Sequence, residues 1–235
     1  MLNKEESTRY ARHIALEEIG EEGQIKLKNA KVLIVGVGGL GSPLALYLSA
    51  AGVGTIGLID DDVVSVSNLQ RQILYNSHEV GKSKVLVAKE KLKALNPFVN
   101  IISHNKRLTE ENSINIIQDY DIIVDGCDNL LTRYTINEAC LHINIPYIYG
   151  SIAEFTGQVA VFNHNNSKSY KDLFPLCDEI SSIKQPKGVV GVLPGIIASL
   201  QANETLKVIC GYGEVLSDKL LLFDALKNTY NILTI

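Results

Sequence analysis

Read as apolar and polar positions, the chain alternates between two patterns. A short continuous apolar run occurs at residues 32–35 (VLIV), and apolar-rich stretches of similar length at 55–59 (TIGLI), 99–103, 120–125 and 146–151. Runs of this length, rich in β-branched residues, predict strands covered on both faces. Between them, Val85, Ala88, Leu92 and Leu95 recur at helical spacing within residues 81–95. Further helices are expected over 110–118 and 129–143, and two short ones over 5–14 and 17–27, ahead of the first strand. Such alternation predicts an α/β fold: a mostly parallel sheet with helices on both faces. After residue 151 the rhythm changes. Residues 157–163 read as a strand with no helix before it, 164–187 as a polar stretch of low order, and 189–210 as a long apolar helix. Residues 220–225 and 230–234 close the chain as strands, so an antiparallel C-terminal part is expected to continue the sheet.

The turn after the first strand carries the first chemical signal. Gly36, Gly38 and Gly41 have dinucleotide-fingerprint spacing, and Gly39 adds a fourth glycine. Such glycines let backbone approach a phosphate with no Cβ in the way. Ser42-Pro43 then opens a helix, with Ser able to cap free N–H groups and Pro suited to the first turn. The second strand ends in Asp60, where a carboxylate can bind a ribose hydroxyl. The spacing alone is weak. In this strand–turn–helix–strand–Asp context it points to a Rossmann-like nucleotide site, the alternative being a tight structural turn.

Directly past Asp60-Asp61-Asp62 comes a dense polar segment, Ser67-Asn68-Leu69-Gln70-Arg71-Gln72, and then Lys84 in the first turn of the 81–95 helix. A nicotinamide dehydrogenase has no need of these groups there. Nucleoside triphosphate phosphates do: Arg71 and Lys84 can neutralise their oxygens and Asn68 can hydrogen-bond one. The fourth strand ends in Gly126-Cys127-Asp128-Asn129 at the same sheet edge. Asp128 either holds Mg²⁺, which favours one or two carboxylates plus substrate phosphates, or caps the helix after it. Arg9 and Arg12, three apart, share a helix face, as a solvated basic edge or as two cations aimed at an anion.

Composition narrows the classes. A net charge of −4 with no Lys/Arg cluster gives no reason to expect nucleic acid. No apolar run reaches about 18 residues and the first ten lack a signal core, so a cytoplasmic protein without a membrane span is expected. At 235 residues one large domain is expected. Cys127, Cys140, Cys177 and Cys210 are isolated from one another, as free thiols in a reducing compartment would be.

The stretches RYARHI, GVGGLGSP, LIDDDVVSVSNLQRQILY, VGKSK, DGCDN and GVLPGIIASLQANETLK together resemble the ThiF/MoeB/HesA family, bacterial relatives of ubiquitin-activating enzymes. The resemblance covers essentially the whole chain and is nearest to ThiF. It implies a homodimeric, ATP- and Mg²⁺-dependent adenylyltransferase. Its partner is a small ubiquitin-like sulfur-carrier protein ending in Gly-Gly, whose C-terminal carboxylate it activates with release of pyrophosphate. Carried over by motif, Gly39 lies against the nucleotide and Asp60 holds the ribose. Asn68, Arg71 and Lys84 bind the phosphates, Asp128 coordinates Mg²⁺, and Arg12 is supplied by the partner subunit. Gly36, Gly38, Gly41, Asp62, Ser67, Gln72 and Asn129 complete the implied nucleotide-binding set. Residues 1–30 would then be N-terminal helices, 31–151 the nucleotide-binding core and 152–235 the carrier-binding part.

Two departures change what the resemblance implies. The family's structural zinc is held by two CxxC pairs. Ser169 and Asp172 stand at the first pair, and the second would lie past Ile235, so no zinc site is expected and 164–187 should be the least ordered segment. The cysteine that in some members bonds covalently to the carrier or its sulfur is here Lys184. Cys177, seven residues upstream, either substitutes or is an ordinary thiol. The expected pathway is thiamine synthesis, with molybdopterin synthesis or a non-catalytic carrier-binding partner as alternatives. A tRNA-modifying relative would want a basic surface, which this chain lacks.

Overall fold

The computed structural model of the chain describes residues 1–175 and 188–235. Helices α1 (Lys4–Arg9), α2 (Ala11–Ile14) and α3 (Gly20–Asn29) come first. Then β1 (Lys31–Val35), α4 (Gly41–Ala51), β2 (Thr55–Ile59), α5 (Lys84–Leu95) and β3 (Asn100–His104) alternate. The alternation continues with α6 (Glu110–Ile117), β4 (Ile122–Asp125), α7 (Leu130–Ile143) and β5 (Tyr147–Ala153). Beyond these lie β6 (Thr156–Phe162), α8 (Tyr170–Leu173), α9 (Leu193–Cys210), β7 (Lys219–Asp224) and β8 (Thr229–Thr234).

The strands form one eight-stranded sheet in the order β3-β2-β1-β4-β5-β6-β7-β8. The first five are parallel, and β6, β7 and β8 add on in antiparallel register. Successive side chains of β1 enter opposite cores. Val32 and Ile34 pack with Leu44, Leu48, Val85 and Ile197, whereas Leu33 and Val35 pack with Ile117, Ile136 and Tyr147. Thus α4, α5 and α9 cover one face and α6 and α7 the other, which is why the strand sequences read as unbroken apolar runs. Each such fully buried aliphatic side chain contributes about 1.5–3 kcal/mol. The chain moves outward from β1 to β3 and then returns to β4 on the other side. The space beyond the carboxyl ends of β1 and β4 is therefore the topological switch point, where open α/β sheets bind ligands.

Of the places where the elements differ from the sequence expectation, three have a clear local reason. The helix expected over 5–14 breaks at Tyr10 (φ −96°, ψ 13°), whose ring is buried and whose hydroxyl accepts a hydrogen bond from Asn96 Nδ2 at 2.8 Å. Arg9 and Arg12 consequently share no helix face: Arg9 donates to the Leu95 carbonyl and lies over the Phe98 ring, while Arg12 is exposed. The helix expected from residue 81 starts at Lys84, because Gly81 has a φ of +87° and Ser83 bridges to Val63. Within the expected low-order stretch, Ser169 and Asp172 form a reciprocal capping box on α8. Behind that cap, Tyr170 packs against Tyr147, Tyr149, Phe162 and Phe174. The polar composition of this stretch hid an aromatic anchor. Cys177 and Lys184 lie outside the described residues. Among the described residues no helix is long and apolar enough to cross a membrane.

Candidate functional site

At the switch point the ends of β1 and β4 touch through glycines. Gly36 has a φ of +86°, and a Cβ there would sit 2.7 Å from the Gly126 carbonyl oxygen; a Cβ on Gly41 or Gly126 would collide with the Gly36 carbonyl. That close approach brings the start of α4 directly over the strand ends. No side chain caps α4; Ser42 N–H donates to the Gly38 carbonyl and Pro43 has no N–H, so what the helix start offers an anion is Gly41 N–H and the positive end of its dipole. Ser42 does not serve as the cap. It is buried inside the helix, with its hydroxyl 3.4 Å from the Val37 carbonyl oxygen.

Asp60, at the end of β2, is oriented by backbone. Its Oδ2 accepts from Val37 N–H at 2.7 Å and its Oδ1 from Asp62 N–H at 2.8 Å. Burial pushes its carboxyl above the ordinary carboxylate range, opposed by these two amides and by the charge of Lys84. The Tyr75 hydroxyl pins the same turn by donating to Val37 O at 2.8 Å. Tyr75 was missed in sequence; ILY after the polar segment reads only as apolar filling.

The polar segment folds back over the glycines. Residues Val66–Asn68 form a short 3-10 turn, and the Asn68 carbonyl accepts from the N–H groups of Arg71 and Gln72. A Cβ built on Gly39 would lie 3.7 Å from Arg71 Cδ and 3.5 Å from Pro194 Cγ, so the Arg71 side chain crosses Gly39 beside the start of α9. Gln72 Nε2 stands over Gly38 in the same way, at 3.3 Å. Gln72 is buried, and its Oε1 has no hydrogen-bond partner among the described residues. A buried acceptor left open is costly; the group of Gln72 that faces the glycine turn is the Nε2 donor. Arg71 Nη1 donates to the Ser67 carbonyl at 3.3 Å, and the hydroxyls of Ser65 and Ser67 pair with each other. Lys84 is 3% exposed and its Nζ lies 2.7 Å from Asp62 Oδ2, with Asp62 itself largely in solvent. Asp62, which the resemblance places in the nucleotide set, is thus the ion-pair partner of a nearly buried lysine in this structure.

Asp128 follows the Gly126-Cys127 turn beyond β4 and is exposed. It does not cap α7: Asn129 does, accepting from Thr132 N–H at 2.9 Å through Oδ1. The Cys127 thiol is pushed up by burial and by neighbouring Asp125, so it stays protonated and is no thiolate nucleophile. Burial raises Cys140 and Cys210 likewise. Arg12 is not brought to this site. The adjacent Tyr10 packs on Gly52, which precedes β2, so α2 lies at the opposite sheet edge. A surface cleft lined by Lys4, Arg9, Pro97 and Phe98 lies at that far edge too, away from the glycine turn.

Sequence reading also missed a buried polar group beneath the turn. Asp125, fully buried, pairs with Arg133 and accepts from the Tyr147 hydroxyl. The available signal was Arg133 itself, a cation on the core-facing side of α7 between Leu130 and Ile136.

Fold and site together define a Rossmann-like α/β protein with an open helix start, an anchored Asp and two cations around a switch-point glycine turn. Residues 10–235 match the ThiF family, and the chain belongs to it. It is 46% identical over 228 residues to a probable molybdopterin-synthase adenylyltransferase of Porphyra purpurea, covering 94% of this chain and 59% of the relative. It is 45% identical to a sulfur carrier protein adenylyltransferase of Thermus thermophilus, covering 99% of this chain and 88% of the relative. With the probable adenylyltransferase/sulfurtransferase MoeZ of Mycobacterium tuberculosis the identity is 42%, over 100% of this chain and 61% of the relative. The chain thus spans about three-fifths of the length of two of these relatives. Among solved structures, E. coli MccB with ATP superposes with a TM-score of 0.86 at 26% identity, over 99% of this chain and 72% of that one.

Proposed function

We propose that the protein is an ATP-dependent adenylyltransferase. Its substrate would be the C-terminal glycine carboxylate of a small ubiquitin-like sulfur-carrier protein, converted to an acyl-adenylate. The observation that carries this reading is the crossing of Arg71 and Gln72 over the Gly38-Gly39 turn, between the open start of α4 and Asp60. The names of the relatives as adenylyltransferases support it.

The residues fit a triphosphate. Glycines 38 and 39 leave a bare backbone turn, the Gln72 Nε2 donor lies over it, and Asp60 stands one strand away to hold the ribose. One oxygen of the carrier carboxylate attacks the α-phosphorus in line. The bond from that phosphorus to the bridging oxygen of the β-phosphate breaks, and pyrophosphate leaves with the bonding pair. The attacking group is already ionised at neutral pH, so no base is required. Arg71 and Lys84 neutralise the charge that develops on the phosphate oxygens, and the helix start adds the positive end of its dipole. Lys84 must exchange Asp62 for phosphate, which Asp62 permits by lying in solvent.

Exposed Asp128 and the Asp60–Asp62 carboxylates, whose oxygens lie within 4.8 Å of one another, offer the hard oxygen donors that Mg²⁺ prefers. Bound there with the phosphates, Mg²⁺ would supply further neutralisation of pyrophosphate charge. Arg12, at the far sheet edge of its own chain, would complete the site of a second copy in a homodimer. The antiparallel strands and residues 152–235 would receive the carrier. Its pathway is thiamine synthesis on the sequence reading, with molybdopterin synthesis favoured by the name of the Porphyra relative. In carrier-dependent pyrophosphate exchange, Arg71→Ala or Lys84→Ala should lower the rate roughly 100- to 1,000-fold, the scale for loss of one charge-stabilising donor. Normal turnover of either variant at saturating ATP would contradict the assigned roles.

A further inference from the structure

Asp125, the last residue of β4, is wholly buried and fully engaged. Arg133 Nε lies 3.0 Å from its Oδ2, the Tyr147 hydroxyl donates to the same oxygen at 2.9 Å, and Cys127 N–H donates to Oδ1 at 2.9 Å. Arg133 is itself only 8% exposed and rests against the Tyr149 ring. A buried pair of this kind is weak evidence for stability, since desolvation offsets the attraction. Its geometry says more. Arg133 Nη2 donates to the Cys127 carbonyl at 3.2 Å and to the Gly150 carbonyl at 3.4 Å. The Cys127 carbonyl belongs to the peptide that leads into Asp128. Asp128 is thus held from both sides: Asp125 and Arg133 fix the two peptides before it, and the Asn129 cap fixes the residue after it.

We propose that Arg133 is a positioning residue for adenylation. By tying the Cys127 carbonyl to β5, it sets the direction in which Asp128 is presented, and it touches no reactant itself. This inference rests on the role proposed for Asp128. Arginine suits the task because its planar fork reaches a carboxylate through Nε and two carbonyls through Nη2 at once, whereas lysine brings the same charge on one nitrogen. Arg133→Lys therefore keeps Asp125 neutralised and loses the tie.

The test compares wild type, Arg133→Lys, Asp128→Asn and the double variant in carrier-dependent pyrophosphate exchange across a Mg²⁺ titration. Arg133→Lys should lower kcat on the order of 10- to 100-fold, the scale of a misplaced group, with little change in KM for ATP and with half-saturation moved to higher Mg²⁺. The double variant should be no slower than Asp128→Asn alone, as for two residues acting through one group. Tyr147→Phe, which leaves both carbonyl bonds of Arg133 in place, should lower stability and spare kcat. Full kcat in folded Arg133→Lys, or penalties that multiply in the double variant, would overturn the inference. The Cys127 carbonyl ¹³C resonance measures the tie apart from activity: it should lie downfield, as for a hydrogen-bonded carbonyl, in wild type and move upfield in Arg133→Lys. An unbonded carbonyl shift for Cys127 in wild type overturns the inference even if Arg133→Lys fails to fold. A hydrogen-bonded shift in a wild type that adenylates no carrier supports the tie and counts against the proposed function instead.

Discussion

Asp60 is the residue whose environment makes the sharpest demand. Both of its oxygens take backbone N–H groups from the turn they orient, and burial raises its carboxyl above the ordinary range. A raised folded value means that the folded protein holds this proton more tightly than the unfolded chain. Stability from Asp60 therefore falls as pH rises from about 3.9, the unfolded value, through the raised folded value. The stability of wild type minus that of Asp60→Ala, from urea unfolding at stepped pH, should shrink across that window; a difference that grows would contradict the burial argument. The same variant should bind ATP more weakly. Most residues of this kind were legible as sequence because their chemistry is unusual for their place: an Arg, a Lys and two Asp residues at strand ends have few structural reasons to be there. Asp62 and Asn129 were legible as polar but not as engaged. Their partners, Lys84 Nζ and Thr132 N–H, depend on where a helix begins, and helix starts are set by packing as much as by pattern.

At the scale of elements, the apolar runs placed the central strands because these are covered on two faces, while the edges of elements followed local events. Tyr10 broke the first helix to fill space beside Gly52, and the left-handed Gly81 delayed α5. The segment around α8 shows what pattern alone misses. Ser169 and Asp172 drew notice as stand-ins for zinc ligands, yet their spacing is also that of a capping box, and Tyr170 and Phe174 anchor the turn from within. Ser169→Ala should therefore cost about 1 kcal/mol of stability, the usual cap loss, measurable by thermal or urea unfolding. No change would mean that the aromatic contacts alone hold this turn.

At the scale of the molecule, the sheet carries Arg71 and Lys84 at one edge and Arg12 at the other. If a second copy supplies Arg12, mixing Arg12→Ala and Arg71→Ala chains should restore roughly a quarter of wild-type activity, from heterodimers with one intact site of two. No recovery despite verified subunit exchange would remove Arg12 from the mechanism. The central claim, adenylation of a carrier terminus, is tested most directly by exchange of labelled pyrophosphate into ATP with purified carriers of the thiamine and molybdopterin pathways. The account predicts exchange that needs ATP, Mg²⁺ and one of these carriers with its free Gly-Gly carboxylate, and that is lost when the terminus is truncated or amidated. Absence of exchange with every such carrier, or exchange indifferent to the carrier's terminus, would contradict it.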